Sequence, residues 1–504
     1  MANLSLISRA ESAPDDVAIV GPEGSFTYGD LATAVAAVAG ALLNGRLELS
    51  EDRVALLIPP GFRYVAAQWG TWAAGGISVP LCISHPAPEL EYVITDAAAS
   101  VIVASKEYQS IVAPIARAKG IPLLDADGLV FVSGSPAGLP SLDDSSRALI
   151  LYTSGSTGKP KGVVWTHGNL EAQLRSLTAA WEWNSGDRAL LVLPLHHVHG
   201  LVNVLTCALW NTATCDVLPK FDAARTWDRL TSRAITVFMA VPTIYRRLIE
   251  AWDEADEATR ADMSQALAEL RLMVSGSAAL PVPMLDQWRE ISGQTLLERY
   301  GMTETGMVLS NAYRGVRVPG SVGVPLPTVQ ARLVDDDGRP VPPGTDGEIE
   351  VRGPSVFKEY WRRSDATAEA FRKGWFRTGD VAIEDGGVYR ILGRQSVDII
   401  KTGGEKVSAL EIEDVLRRHA AVGDCAVVGI EDTEWGERVA VAAVPAGDAI
   451  PELEELRAFA RQYMASYKLP RELLILDDLP RNALGKVVKP RLSELFASGT
   501  TQRL

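Results

Sequence analysis

Residues 151–162 read LYTSGSTGKPKG, directly after the apolar residues Ala148, Leu149 and Ile150. Thr153, Ser154, Ser156 and Thr157 stand among Gly155, Gly158 and Gly162, and Lys159 and Lys161 close the run. Glycine freedom and short hydroxyl side chains disfavour a helix or a central strand here, so a loop leaving a buried strand is expected. Backbone N–H groups beside glycine can approach an anion closely, hydroxyls add donors, and the two lysines add charge. A polyphosphate is the natural guest. A Walker loop needs G-x-x-x-x-G-K-[ST]; Thr153 stands where its first glycine belongs and Pro160 follows Lys159. That reading fails at both ends. A flexible Ser/Gly linker is the competing reading, but the alternation of hydroxyls and glycines ends in KPKG straight after a strand.

Outward from this loop, the 504 residues are too many for one core and suggest several packed units. Asp and Glu number 63 against 49 Lys and Arg, a formal charge of −14. Such a surface repels nucleic acid and anionic membrane. The four cysteines show no C-x-x-C pair, which points to buried thiols in a reducing compartment. Residues 64–84 and 198–214 are long and uncharged but broken by Gly, Pro and Asn, so buried helix–strand units are expected rather than membrane spans. The N-terminus lacks a basic stretch followed by a long apolar core, and a soluble, cytoplasmic protein is the expectation.

Up to about residue 145 strands and helices alternate: RVALLIP at 53–59 and SVIVA at 100–104 are short buried strands, and 64–74 is an apolar helix. The run PLHHVHG at 194–200 holds three histidines within four residues, either metal ligands or the lining of a pocket. From Val318 short strands and turns suggest a small β-rich unit, and such spacing is compatible with a barrel. After residue 395 the pattern changes again. The expected fold is α/β: a large N-terminal domain, 1–395, of layered sheets plus a small barrel, and a small mobile α+β domain, 396–504.

The stretch at 151–162 resembles the phosphate loop of the adenylate-forming superfamily, and further motifs follow in the family's order. Tyr300-Gly301-Met302-Thr303-Glu304 resembles YGxTE, Thr378-Gly379-Asp380 resembles TGD, Gly393-Arg394 resembles GR, and Pro480 to Lys486 resembles PRN-x-x-GK. The resemblance implies ATP, Mg²⁺ and coenzyme A. It places the phosphates on Thr153, Ser154, Gly155, Ser156, Thr157, Gly158 and Lys159. Gly276, Ser277 and Ala278 flank the adenine, joined by Glu298, Tyr300, Gly301 and Met302. Thr303 contacts the α-phosphate, Glu304 holds Mg²⁺ with Thr153, and Asp380 and Arg394 hold the ribose. Lys486 comes from the small domain as the catalytic cation. Lys401, Gly403, Gly404 and Glu405 lie near coenzyme A. The chain departs from the pattern at GRQSVDIIKTGG, one residue longer than usual, so the hinge falls on Ser396, Val397 or Asp398.

Arg299 precedes the YGMTE run, close to where an acyl group would lie. A guanidinium beside an apolar pocket is costly unless paired, and its fork matches a carboxylate at two points. It is either paired internally, as with Glu298, or it reads a ligand. The runs LPLHHVHGL, ERYGMTETGM and SVDIIKTGGEKVSALEIE resemble malonyl-CoA synthetases. That resemblance gives Arg299 the distal carboxylate of malonate and gives His197 a catalytic and pocket-lining part, with Val198, Ser277 and Met307 beside them. It implies a two-step ligase acting on small molecules as a monomer or homodimer. An enzyme for another short or aryl acid, one that loads a carrier protein, and a nucleotide binder without catalysis are the alternatives.

Overall fold

The computed structural model describes residues 4–129, 138–153, 159–402, 405–433, 435–447, 449–481, 485–498 and 502–503. Apolar runs of four to seven residues form strands buried on both faces, and the helices that cover them are apolar on one side. Two large sheets result. In one, Arg147–Thr153 lies between Ile77–Pro80 and Lys161–Thr166. The other runs from Val324–Pro325 through Gly306–Ser310, Leu297–Met302, Leu272–Ser275, Val237–Ala240 and Arg188–Leu191 to the N-terminal hairpin. Trp69, Trp72, Trp165, Trp181 and Trp288 are fully buried in and between these layers.

The run at 151–162 is more ordered at its ends than a loop. Leu151 to Thr153 complete the strand Arg147–Thr153, and Lys161 begins the strand Lys161–Thr166, with Thr153 opposite Lys161 and Tyr152 opposite Gly162. Tyr152 is held there by its hydroxyl, which donates to Asp96 (2.8 Å). The two strands that flank the expected loop are therefore antiparallel neighbours. Ser154, Gly155, Ser156, Thr157 and Gly158 lie outside the described residues.

The β-rich unit is a five-stranded antiparallel sheet built from Gln330–Val334, Gly347–Arg352, Phe371–Arg372, Trp375–Asp385 and Val388–Arg394. Across the expected barrel's seam, Tyr389 donates to the Ala331 carbonyl (3.4 Å), but among the described residues no ladder joins those two outer strands. The small C-terminal domain has its own sheet, beginning at Ile399–Thr402. Helices Ala409–Leu416 and Leu453–Ala460 pack on one of its faces and Lys489–Ser498 on the other. Among the described residues no helix is long and apolar enough to cross a membrane.

Three neighbouring parallel strands of the second large sheet are fastened at their N-terminal ends by one buried carboxylate. Asp187 takes two hydrogen bonds from Arg271 (2.5 and 2.6 Å), one from the Thr236 hydroxyl (2.9 Å) and one from the Asn184 amide (3.0 Å). The C-terminal ends of those strands lead to His197, Val241 and Ser277, so this staple sets the positions of the residues at the opposite edge. Removing one partner of a buried pair strands the other charge. Asp187→Ala is expected to lower the free energy of unfolding by about 3 kcal/mol or more, read from the midpoint of urea denaturation.

Candidate active site

A cavity of about 670 Å³ opens at the carboxyl ends of the parallel strands, where α/β sheets place ligands. Its wall includes Thr153, His197, Val198, Ser277, Gly301, Met302, Thr303, Glu304, Met307, Arg394, Lys401 and Lys486. Residues separated by more than 300 positions thus meet in one space. The chain carries a large net negative charge, yet among the described residues Lys161, Arg377, Arg394, Lys401 and Lys486 line this cavity against the single acid Glu304. An anionic guest is what such a lining selects.

Other expected residues stand directly behind the wall. The Asp380 carboxylate is spanned by Arg394, through Nε at 2.8 Å, and by the Tyr300 hydroxyl at 2.6 Å. Burial works against the Arg394 charge, but Asp380 holds its pKa above the ordinary value. Ala278 faces the adjoining cleft toward the small domain, which Lys486 and Ser277 also line. Lys159 lies over the Tyr92 ring at 5.6 Å, and Glu405 is exposed. Gly403 and Gly404 lie outside the described residues.

Glu298 departs from its expected place. Its carboxylate is not on the cavity wall; Oε1 accepts the Gly320 amide (3.0 Å), and burial pushes its pKa up to about 8. The amide of Gly320 thus bonds the carboxylate that the family resemblance places near the nucleotide. Nor does Glu298 neutralise Arg299. Arg299 is 3% exposed, and among the described residues no ion pair reaches it. Its Nη2 donates to the Ser277 hydroxyl (3.5 Å), and its Nε has no hydrogen-bond partner. Burial lowers its pKa to about 9, leaving it a cation at neutral pH. Gly276 is bare because a Cβ there would lie 2.5 Å from the Arg299 guanidinium carbon.

The histidines divide their positions. His197 is kept neutral by burial, by His196 and by Lys486, whereas His199 is kept neutral by burial and by Arg299. His199 opens the π-helical turn His199–Thr206, and its Nδ1 lies 3.2 Å from the Ser277 hydroxyl, while its Nε2 is buried with no partner. It is therefore His199 that joins Arg299 and Ser277, a grouping the motif spacing does not reveal. Among the described residues no three His, Cys, Asp or Glu side chains converge as a metal-holding group.

Lys486 reaches the same space from the small domain. Lys486 keeps solvent contact, but the protein crowded around its ammonium lowers its pKa, as do Arg394 and Arg299, and Asp380 and Asp398 act in the opposite direction. At the opposite side, burial raises the Glu304 pKa although Tyr360 donates to its Oε1 (2.9 Å). Glu304, Thr153 and Thr303 line the same cavity, and their carboxylate and hydroxyls are hard oxygen donors, a chemistry that fits Mg²⁺ beside phosphate. Tyr360, Thr378 and Lys161 also line the cavity. Of these, Tyr360 carried no motif signal, since it arrives by pairing with the strand that holds Lys161.

The model of the AMP-binding enzyme family matches residues 6–361, and that of the AMP-binding enzyme C-terminal domain matches 411–486. The chain is 44% identical to Malonate--CoA ligase ACSF3, mitochondrial, of Homo sapiens over 97% of this chain and 92% of that protein. It superposes on ATP-bound MatB from Rhodopseudomonas palustris with a TM-score of 0.90 at 34% identity, covering 98% and 99% of the two chains. On a malonyl-CoA ligase in ternary product complex with methylmalonyl-CoA and AMP, the TM-score is 0.70 at 37% identity, over 95% and 100%.

A buried cation without a counter-charge opposes folding of the ligand-free chain. Arg299→Met is expected to raise the free energy of unfolding by about 1 kcal/mol or more, seen as a higher urea midpoint in the absence of ligand. An unchanged or lowered midpoint contradicts the cost assigned to that charge.

Proposed function

The chain belongs to the AMP-binding enzyme family, and from that premise we propose that it joins malonate to coenzyme A with ATP, forming AMP and pyrophosphate. The observation that carries this reading is the uncompensated Arg299 directly behind Ser277 and His199, two residues on the wall of the cavity that Lys486 also lines. Arg299 takes the far carboxylate of the diacid in two-point contact, and the Ser277 hydroxyl and His199 complete the donors. Val198 and Met307 limit the length of the acid. A methyl branch between the carboxylates leaves this contact intact, so methylmalonate is a second substrate.

In the first step an oxygen of the near carboxylate attacks the α-phosphorus of ATP, the bond to the bridging oxygen breaks, and pyrophosphate leaves. Two anions approach each other, and the ammonium of Lys486 stabilises the charge where it concentrates. Thr303 binds the α-phosphate, and Asp380 with Arg394 orients the ribose. His197, neutral by burial, hydrogen-bonds the reacting carboxylate. Glu304 and Thr153 would hold Mg²⁺, which when bound would offset charge on the phosphates.

In the second step the sulfur of coenzyme A attacks the acyl carbon and AMP departs. A neighbouring cavity of about 1160 Å³ meets the first at Leu193, Pro194 and Val241 and carries Lys106, Lys220, Arg246 and Arg247. It offers coenzyme A a route to the adenylate. The small domain, from residue 396, turns between steps to bring the segment of Lys401, Gly403, Gly404 and Glu405 to the site. The better superposition on the ATP-bound relative than on the product complex, at similar identity, supports such a rearrangement. The turn after Arg394 is its pivot: Asp398 accepts the Arg394 amide (3.0 Å) and pairs with Lys489 of the last helix (2.5 Å).

Lys486→Ala is expected to slow adenylate formation roughly 10²–10³-fold and to spare thioester formation from supplied malonyl-AMP. Equal losses in the two half-reactions, followed by pyrophosphate and thioester release, count against the assignment. Arg299→Ala is expected to depress turnover of malonate far more than of acetate or butyrate. In the unaltered enzyme the malonate KM rises as pH climbs through about 9, because the cation is present below its pKa and lost above it. A uniform loss across the acids, or a flat malonate profile, overturns the diacid reading.

A further inference from the structure

The carboxylate of Glu304 is gripped by a segment that has no part in the scheme so far. Residues 357–361 lie along the strand Lys161–Thr166, with Glu359 opposite Val164 and Tyr360 opposite Val163. Lys358 donates to the Val164 carbonyl (2.9 Å) and Trp361 to that of Gly162 (2.7 Å). The segment is therefore bonded to the strand that returns from the Ser/Gly loop. It holds Glu304 at two points: the Phe357 amide donates to the Glu304 backbone carbonyl (2.7 Å), and the Tyr360 hydroxyl donates to the carboxylate (2.9 Å).

The tyrosine ring is itself constrained. Phe357 meets it edge to face at 4.8 Å, and the Lys161 ammonium lies 5.4 Å from its centroid. A hydroxyl on so fixed a ring restricts rotation of the acceptor it bonds. Groups that orient a metal-binding carboxylate in this way commonly govern metal affinity without touching the metal.

We propose that Tyr360 is a positioning residue, which fixes the Glu304 carboxylate on the cavity wall and ties it to the strand leaving the phosphate loop. This rests on the reading of Glu304 as the Mg²⁺ carboxylate. The Tyr360 hydroxyl supplies the direction of the carboxylate, and the backbone pairing of its strand supplies the distance to Thr153 and Lys161.

Tyr360→Phe keeps the ring, its contact with Phe357 and its place under Lys161, and removes only the bond to Glu304. Binding of Mn²⁺ to the full-length protein with a non-hydrolysable ATP analogue is followed by electron paramagnetic resonance, with Glu304→Gln alongside. Tyr360→Phe is expected to weaken Mn²⁺ binding about tenfold or more, and excess Mg²⁺ is expected to restore pyrophosphate exchange toward the unaltered rate. Unchanged Mn²⁺ affinity in Tyr360→Phe, with loss in Glu304→Gln, overturns the part given to Tyr360 alone. Unchanged affinity in both variants removes the metal from Glu304 and takes this inference with it. A deficit in exchange that excess Mg²⁺ does not relieve, at unaltered Mn²⁺ affinity, identifies Tyr360 as structural and likewise overturns the proposal.

Discussion

A positive charge held out of water with no acid beside it is the constraint on which this molecule turns. Arg299 is buried among Gly276, Ser277 and His199, and among the described residues it has no ion pair. Folding therefore places it at a cost that only an incoming anion offsets. Its surroundings keep it so: Glu298, next in sequence, is bonded to Gly320, and His199 is neutral. The position is poor for the stability of the empty chain and good for the capture of a second carboxylate.

The remainder of the fold assembles opposite charges at controlled separations around that point. Two sheets present their strand ends to one cavity, and the small domain adds Lys486 from the other side. The Asp187 staple, at the far ends of three of those strands, explains how residues on loops are kept in register without a scaffold of their own. Asp380 performs a comparable service nearer the site, since Arg394 and Tyr300 both bond it and so share one orientation.

What could be read in the chain alone was local. Thr303 and Glu304, Ser277, Arg394 and Lys486 belong to short runs whose composition already narrows their chemistry, and the cavity contains them all. The alternation of apolar runs is enough for the layered architecture, as in the short buried strands Arg53–Leu57 and Val101–Ala104. Features made by distant segments were not legible. Tyr360 reaches Glu304 only because a two-residue strand pairs across some 200 positions. Nothing near Glu298 in sequence announces its bond to the Gly320 amide, and nothing in the run of histidines announces that His199 is the one whose Nδ1 meets the Ser277 hydroxyl beside Arg299.

Gly276 and the guanidinium above it carry a consequence for how this pocket can diversify. The methyl that glycine lacks and the guanidinium would fill the same volume, so position 276 cannot take a side chain while the arginine stays. The arginine is not bound in the same way, since an unbranched apolar side chain can occupy much of the space it leaves. The route by which this pocket can be remodelled therefore runs in one direction: a change at 299 has to precede any at 276.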